Sequence, residues 1–381
     1  MAKVLDSLLE ARLENFLTLH DAQFGFRPGL SIESAILCLK TTVQYYTQRR
    51  TPVYACFLDL SKAFDLLSYD LLWKKLRERE VPAELLRIFQ FWYYNQTNSV
   101  RWADQLSETY ILDCGVRQGG ITSPKLFNLY IDELIVELSS KRLGCRINGV
   151  SFNNLSYADY MVLLSPTIRA LRELLKSCEL YAQFHGLSYN VEKSELMVFN
   201  AIGGRCPNVI PAVKLKGSAL NLVDRCKYLG HYVTKDLKDH DNMERERRAL
   251  AVRCNLLVRR FGRCSNEVKI SLFKAYCQVF YTCSLWTNST QRAANALRVQ
   301  YNNGFRMLMG LLRFCSASGM FAEARVDDYY AVVRKRAASL LCRIRASSSN
   351  ILKVLAGRFD VPALNCCAGK CKASTMYITK L

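Results

Sequence analysis

The chain has 381 residues, 50% of them hydrophobic and 11% aromatic, a composition that excludes an intrinsically disordered protein and leaves room for two or three domains. Its 53 lysines and arginines stand against 33 aspartates and glutamates, and the resulting net charge of +20 favours an anionic partner. No apolar run approaches the ~18 residues of a membrane helix and no signal-peptide pattern is visible, so we expect an intracellular protein, nuclear or cytoplasmic, without a membrane partner.

Apolar periodicity predicts the elements of the first part of the chain. Residues 1–22 have a helical pattern, a turn follows at 25–29, and Ser31 is suited to cap a helix that runs through Val43. The patterns that follow predict, in chain order, a strand at 53–59, helices at 69–79 and 83–94, a hairpin at 101–113, a helix at 124–138, a strand–turn–strand at 155–164, a helix at 169–184 and a strand at 197–199.

The character of the sequence changes after about residue 230. Residues 240–345 are almost entirely helical in pattern, and the stretch 292–345 contains ten basic residues against three acidic ones. The order of the elements therefore predicts a mixed α+β core followed by a basic helical domain.

The 16 cysteines do not indicate a disulfide framework. They are scattered through apolar segments, where a free cysteine behaves as a small hydrophobic residue, so we expect reduced thiols. Near the end of the chain Cys366, Cys367 and Cys371 lack a fourth ligand at a workable spacing, and we do not expect a zinc site there.

Two aspartates lie where a catalytic site for phosphoryl transfer would need them. Asp59 ends the predicted buried strand 53–59, and Asp159 lies at the tip of the predicted hairpin 155–164. Two carboxylates that meet from separate strands are what a two-metal site requires. Taken singly, each has a simpler interpretation, Asp59 as a helix N-cap and Asp159 as a turn former.

Six motifs, taken in their order, resemble those of the reverse transcriptase domain of jockey-like non-LTR retrotransposons. They lie at residues 23–31, 57–65 (motif A), 115–128 (motif B), 156–160 (motif C), 186–194 (motif D) and 227–230. The resemblance implies an α+β, right-hand polymerase fold. It implies fingers and palm over residues 1–235, a basic helical thumb over 236–330 and a C-terminal extension over 331–381. It also implies a further fingers segment ahead of residue 1.

The function that the resemblance implies is RNA-directed DNA polymerisation. In this interpretation Asp59 and Asp159 hold Mg²⁺, the partners are an RNA template and a DNA primer, and dNTPs are added to the primer 3′-OH. The arginines of the helical region would form a thumb that contacts the primer–template backbone, although several of them must simply face solvent.

The resemblance assigns substrate contacts to residues of motifs A and B. Phe64 would exclude a ribose 2′-OH, or else fill the core. Gln118 and Gly119 would hold the incoming nucleotide and template, or else form an ordinary glycine turn. Pro124, in the first turn of a helix, would form the floor of the nucleotide pocket. We expect Asp65 to be structural, as a cap of the helix that begins near residue 69.

Two basic residues are implied to contact the triphosphate. Arg27 would grip it with its guanidinium group, and Lys193 in motif D would donate a proton to the leaving pyrophosphate. Either residue has a simpler interpretation as a solvated side chain in a loop.

Motif C departs from the family pattern at one position. The sequence reads Tyr157-Ala158-Asp159-Tyr160, whereas the resemblance leads us to expect a second aspartate at position 160. A phenol with a pKa near ~10 is a poor Mg²⁺ ligand at neutral pH, so polymerase activity is expected to be impaired. The alternative function is that of a catalytically inactive nucleic-acid-binding remnant or domesticated protein.

Overall fold

The computed structural model describes residues 2–203 and 210–357, so the three C-terminal cysteines considered for zinc lie outside it. The chain divides into two compact units. The first comprises Met1–Ala35, Tyr46–Val223 and Ser349–Ile351, and the second comprises Ile36–Tyr45, Asp224–Ser348 and the residues from Leu352 onward. Within the described ranges, no helix has the length and apolar character needed to cross a membrane.

The chain up to residue 223 contains six α-helices and thirteen strands in its described part. The helices are α1 (Ala2–Leu13), α2 (Ile32–Gln48), α3 (Tyr69–Glu78), α4 (Ala83–Tyr94), α5 (Ser123–Ser140) and α6 (Ile168–Phe184). The strands are β1 (Val53–Asp59), β2 (Thr97–Asn98), β3 (Arg101–Trp102), β4 (Gln105–Leu106), β5 (Tyr110–Ile111), β6 (Arg146–Ile147), β7 (Val150–Ser151), β8 (Asn154–Tyr157), β9 (Tyr160–Ser165), β10 (Glu195–Phe199), β11 (Lys214–Leu215), β12 (Ser218–Ala219) and β13 (Asn221–Leu222).

A five-stranded sheet in the order β13-β10-β1-β9-β8 forms the centre of the first unit. β1 is antiparallel to both β10 and β9, and all seven of its residues are buried. An unbroken apolar strand of this kind must be covered on both faces, and helix α6 packs against β1 and β9. The last residue of this central strand is Asp59, so burial of the strand fixes the position of that carboxylate.

Local sequence signals explain several helix boundaries. Ser31 caps α2 by accepting a hydrogen bond from the Ser34 N–H, as predicted, and Thr167 caps α6 in the same way through the Ala170 N–H. The first helix is shorter than its pattern predicted, because α1 ends at Leu13 and is followed only by a 3₁₀ turn at Glu14–Phe16.

The hairpin predicted at 101–113 is longer than expected and interrupted. Its inner part pairs β3 with β4, and its outer part pairs β2 with β5, so the hairpin begins at Thr97. The residues of all four strands are exposed or half-buried. The apolar side chains of this hairpin therefore do not belong to the core of the unit.

The second unit is largely helical, as the sequence predicts. It contains β14 (Arg225–Tyr228), β15 (His231–Thr234), α7 (His240–Phe261), α8 (Asn266–Cys277), α9 (Gln291–Met309), α10 (Ala317–Glu323), α11 (Tyr329–Arg345) and most of α12 (Asn350–Ala356). Its core is rich in aromatic rings. Tyr301 lies 5.1 Å from Phe273 and 5.3 Å from Phe321, measured between ring centroids.

Candidate active site

The backbone of Asp59 is held by motif D. Its carbonyl accepts a hydrogen bond from the Asn190 N–H at 2.8 Å, and its N–H donates to Ser194 Oγ at 3.4 Å. The residue as a whole is only 8% exposed. Both backbone groups of Asp59 are thus hydrogen-bonded at the end of a buried strand, and a side chain on so fixed a backbone suits a metal ligand.

Asp159 lies in the two-residue turn between β8 and β9. The register pairs Tyr157 with Tyr160 and leaves Ala158 and Asp159 as the turn. Ala158 has a left-handed φ of 54°, a conformation that costs a non-glycine residue about 1–2 kcal/mol. The Asp159 carbonyl accepts a hydrogen bond from the Leu60 N–H at 3.4 Å, so the turn lies against the end of β1.

The turn is supported by Gln23, a buried residue that the sequence placed in a motif without assigning it a role. Its Oε1 accepts hydrogen bonds from the Gly25 N–H at 3.0 Å and from the Ala158 N–H at 3.2 Å. A Cβ at Gly25 would lie 2.7 Å from the Ala158 nitrogen, so only glycine fits there. Residues 23–25 therefore position the turn that carries Asp159.

Burial raises the pKa of both candidate carboxylates, Asp59 and Asp159. Burial raises the pKa of Asp59, and the ammonium group of Lys193, 3.9 Å from its Oδ2, opposes that rise. Burial also raises the pKa of Asp159, and the negative charge of Asp59 raises it further. A bound cation would relieve both the burial of charge and the mutual repulsion.

The oxygen donors of Asp59 and Asp159 fit a hard divalent cation. Such a cation is commonly held by one or two carboxylates and takes its other ligands from water and substrate phosphates. In the described residues no cluster of three or more histidine, cysteine, aspartate or glutamate side chains could hold a metal ion. The two aspartates alone would therefore supply only part of a coordination shell, and their role as metal ligands stays a prediction.

Tyr160 stands beside this pair. It is the first residue of β9, it is 40% exposed, and it lies opposite Asp59 in the β1–β9 register. Burial and the charges of both aspartates raise the pKa of its phenol. The hydroxyl therefore stays neutral at physiological pH and does not supply the negative charge of a second motif C carboxylate.

The motif B loop and the helix that follows it are anchored by Asp6, which the sequence analysis missed. Its carboxylate accepts hydrogen bonds from the Ile121 N–H at 2.6 Å and from the Thr122 hydroxyl at 2.7 Å. It also accepts a hydrogen bond from the N–H of the N-cap residue Thr122 at 3.3 Å, at the end of α5 where the helix dipole favours an anion. Pro124 occupies the first turn of that helix, as predicted.

Motifs A and B are in direct contact. Phe64 is half-buried and stacks on Phe127 with 5.0 Å between ring centroids, while its carbonyl accepts a hydrogen bond from the Val116 N–H at 2.6 Å. Gly115 has a φ of +91°, and a Cβ there would lie 2.9 Å from the Phe64 and Asp65 carbonyl oxygens. Phe64 therefore has a packing role, and its action as a gate against ribose stays a prediction.

Gln118 and Gly119 are exposed in the motif B loop. Gln118 Nε2 donates to Asp65 Oδ1 at 3.0 Å, and Gly119 has a left-handed φ of +83°. The expectation that Asp65 caps α3 is wrong, because Ser68 occupies the N-cap position and makes no side-chain cap there. Asp65 instead joins motif A to motif B.

Arg27 contacts its own loop. Its Nη1 donates to the carbonyls of His20 at 2.8 Å and Gln23 at 3.1 Å, and Asp21 lies 4.0 Å away. Burial lowers the pKa of its guanidinium. These bonds hold the loop that carries Gln23, whereas the predicted grip on a triphosphate stays a prediction.

Several arginines of α7 form ion pairs within the protein, so fewer of them are available to a phosphate backbone than the sequence indicated. Arg247 and Arg248 pair with Glu244, and Arg253 pairs with the buried Glu246. Three arginines at the C-terminal end of α7 and just after it are exposed and make no ion pair in the described part of the chain. They are Arg259, Arg260 and Arg263.

Asp59 at a strand end and Asp159 in the adjacent turn, on a mainly antiparallel sheet flanked by helices, are the arrangement of a polymerase palm. The chain belongs to the reverse transcriptase (RNA-dependent DNA polymerase) family, whose model matches residues 1–233. Members of this family generally use divalent metal ions. The predicted membership and the right-hand polymerase fold are thereby confirmed.

The relatives of the chain include proteins of non-LTR retrotransposons. It is 28% identical over 240 residues to the Pol polyprotein of the type-1 retrotransposable element R2 from Popillia japonica, covering 61% of this chain and 34% of that protein. It is 21% identical over 302 residues to the RNA-directed DNA polymerase of the mobile element jockey from Drosophila funebris, covering 76% of this chain and 32% of that protein. The chain thus spans about a third of these relatives.

Among solved structures, telomerase from Candida albicans in complex with a fragment of telomeric RNA has a similar fold. The TM-score is 0.50 at 12% sequence identity, and the match covers 97% of this chain and 54% of the telomerase chain. At this identity the likeness concerns the fold alone.

Proposed function

We propose that the chain adds dNTPs to the 3′-OH of a DNA primer on an RNA template. The observation that supports this most directly is the register of β1 and β9, which brings Asp59 beside the Asp159 turn in a chain of the reverse transcriptase family. In the reaction the primer O3′ forms a bond to the α-phosphorus and the bond from that phosphorus to the pyrophosphate oxygen breaks.

Asp59 and Asp159 would hold Mg²⁺, which when bound supplies positive charge to the phosphoryl group being transferred. The chain's own residues do the remaining work. Motif D keeps Asp59 in place through Asn190, and Gln23 keeps the Asp159 turn in place. Lys193, exposed and 3.9 Å from Asp59, is the candidate donor of a proton to the leaving pyrophosphate.

Tyr160 favours a second function, binding of an RNA–DNA hybrid without catalysis. A neutral phenol in place of a carboxylate leaves the site with one negative charge fewer, and loss of transition-state charge stabilisation of several kcal/mol would slow the reaction by orders of magnitude. The net charge of +20 would still support salt-dependent binding to a phosphate backbone.

Primer extension on an RNA template with Mg²⁺ and dNTPs separates the two functions. We compare the native chain with Asp59→Ala and Tyr160→Asp, and measure hybrid binding of all three in parallel. If the native chain extends the primer and Asp59→Ala does not, the result supports polymerase activity. Extension by Tyr160→Asp alone places the defect at position 160. Binding by all three without extension supports the second function, and loss of both activities refutes both proposals.

A further inference from the structure

A pocket of about 570 Å³ lies in the first unit. Neither Asp59 nor Asp159 is among the residues that line it. Its volume falls in the range of ≈ 300–1,000 Å³ that is usual for small-molecule sites. One wall is the second half of α6, another is the start of motif D, and a third is the turn between β11 and β12. The residues that line it are Lys176, Glu179, Leu180, Ala182, Gln183, Leu187, Ser188, Tyr189, Lys216 and Gly217.

The charged groups of the lining favour an anion. Lys176 is exposed on α6 and makes no ion pair in the described residues, and Lys216 Nζ donates only to the neutral Ser188 Oγ, at 2.8 Å. Glu179, the one carboxylate of the lining, accepts a hydrogen bond from the Lys216 N–H and so holds the β11–β12 turn. The lining thus contains two ammonium groups and one carboxylate, and that carboxylate already accepts a backbone hydrogen bond.

The lining also includes apolar side chains. Leu180 is exposed, whereas Ala182 and Leu187 are largely buried. A ligand with only a phosphate-like charge would leave this surface exposed to water, and a purely apolar ligand would leave the ammonium groups unused. The chemistry of the lining therefore suits a molecule that combines an apolar body with one anionic group.

The pocket shares a wall with the segment that holds the candidate catalytic carboxylate. Ser188 accepts a hydrogen bond from the Ser61 N–H through its carbonyl at 2.8 Å, and Tyr189 forms a β-bridge with Leu60. Asn190, next in the chain, donates to the Asp59 carbonyl. A ligand in contact with Ser188 and Tyr189 would touch the motif D segment that holds the backbone of Asp59.

We propose that this pocket binds a small organic anion with an apolar body, whose anionic group is held by Lys176 and Lys216. Neither Asp59 nor Asp159 lines the pocket, and the proposal does not depend on polymerase activity. Binding replaces the water-exposed charge of both lysines by a charge-assisted contact.

The full-length chain is titrated with 8-anilino-1-naphthalenesulfonate, an apolar sulfonate whose fluorescence reports its binding. N-phenyl-1-naphthylamine, which has the same rings without the sulfonate, serves as the neutral probe. We expect saturable binding of the sulfonate that is at least about tenfold tighter than that of the neutral probe. Lys176→Glu and Lys216→Glu should each weaken sulfonate binding by about tenfold.

Lys214→Glu is the matched control. It makes the same charge change two residues away on the same hairpin, at an exposed residue that does not line the pocket, and should leave binding unchanged. Equal weakening by Lys214→Glu, or equal binding of the neutral probe, would overturn the proposal. If Lys216→Glu lowers the melting temperature through loss of its bond to Ser188, Lys176→Glu decides the outcome, because no hydrogen bond in the described part of the chain depends on its side chain.

Discussion

Tyr160 lies directly across the β1–β9 pair from Asp59, so a neutral phenol occupies the position where the family resemblance predicts a further carboxylate. The departure affects charge more than architecture. The antiparallel register continues to Tyr160 itself, and the turn that presents Asp159 is formed. The local fold of the site is therefore formed even at the position where the sequence departs from the expected motif.

Replacement of Tyr160 by aspartate should strengthen divalent-cation binding. A third carboxylate beside Asp59 and Asp159 adds repulsion that a cation relieves, so we expect Mn²⁺ affinity to rise by at least about tenfold. Electron paramagnetic resonance of free Mn²⁺ during a titration measures the affinity directly. Tyr160→Asn, small but neutral, is the control. A gain of equal size in that variant would mean that removal of bulk, not added charge, is responsible.

The sequence predicted the central elements of the site because their signals are local. An apolar run that ends in an aspartate is enough to place Asp59 at the end of a buried strand, and the short spacing between two apolar stretches is enough to place Asp159 in a turn. Ser31 caps α2 through a residue three positions away, which is also a local signal.

The parts that the sequence did not predict depend on contacts between distant residues. Asp6 binds the start of α5 at Thr122, 116 positions away, and Gln23 binds the turn at Ala158, 135 positions away. Neither side chain has a local pattern that distinguishes it from other polar residues. Arg27 shows the same limit, because only the folded loop brings the His20 and Gln23 carbonyls to its guanidinium group.

Substitution of Gly25 by alanine should displace the turn that carries Asp159. The added Cβ would lie 2.7 Å from the Ala158 nitrogen, a backbone atom that cannot rotate away, so we expect a loss of about 1–3 kcal/mol in the free energy of unfolding. Urea denaturation measures this loss, and Mn²⁺ affinity should fall with it.

Gly29→Ala is the comparison for Gly25→Ala. Gly29 has a φ of +76° but no atom within 4 Å of an added Cβ, so the cost of Gly29→Ala is limited to backbone strain of about 1–2 kcal/mol. Its Mn²⁺ affinity should equal that of the native chain. If Gly29→Ala weakens Mn²⁺ binding as much as Gly25→Ala does, close packing of Gly25 against the turn is not what supports the site.

Removal of the Lys193 charge should raise the pKa of Asp59. In the native chain the ammonium group opposes the rise that burial causes, so Lys193→Gln leaves the desolvation uncompensated. Carbon-13 NMR of the Asp59 carboxyl group across a pH titration follows the shift. Lys193→Arg keeps the positive charge and should leave the pKa close to its native value; a rise in that variant as well would assign the effect to side-chain shape.

The stability effect of Lys193→Gln should be small. The side chain is 70% exposed, and ion pairs in contact with solvent contribute about 0–1 kcal/mol. A loss well above this range in urea denaturation would mean that Lys193 has a packing role that its exposure does not suggest.

His231 should make the second unit less stable in mild acid. The side chain is buried. Its Nδ1 forms a hydrogen bond of 2.8 Å with Thr282 Oγ1, and its Nε2 lies 3.9 Å from Asp239 Oδ1. Burial, together with the charges of Lys40 and Arg245, lowers its pKa from 6.5 to about 2. The unfolded chain therefore binds a proton below pH 6.5 that the folded chain does not bind, and the stability that neutral His231 provides above pH 6.5 is lost as the pH falls.

His231→Gln tests this linkage. Between pH 6.5 and 5 the free energy of unfolding of the native chain should fall more steeply than that of the variant, with a difference approaching about 1.4 kcal/mol per pH unit, the value for one proton. Urea denaturation at several pH values gives both slopes. Because burial also lowers the pKa of His20 and His185, a residual slope remains in the variant and only the difference between the two slopes is informative.

Thr282→Val is the control, because it removes a hydrogen-bond partner of His231 but no titrating group. It should lower the free energy of unfolding at every pH and keep the native slope. If it flattens the slope as His231→Gln does, the pH dependence does not arise from His231 protonation.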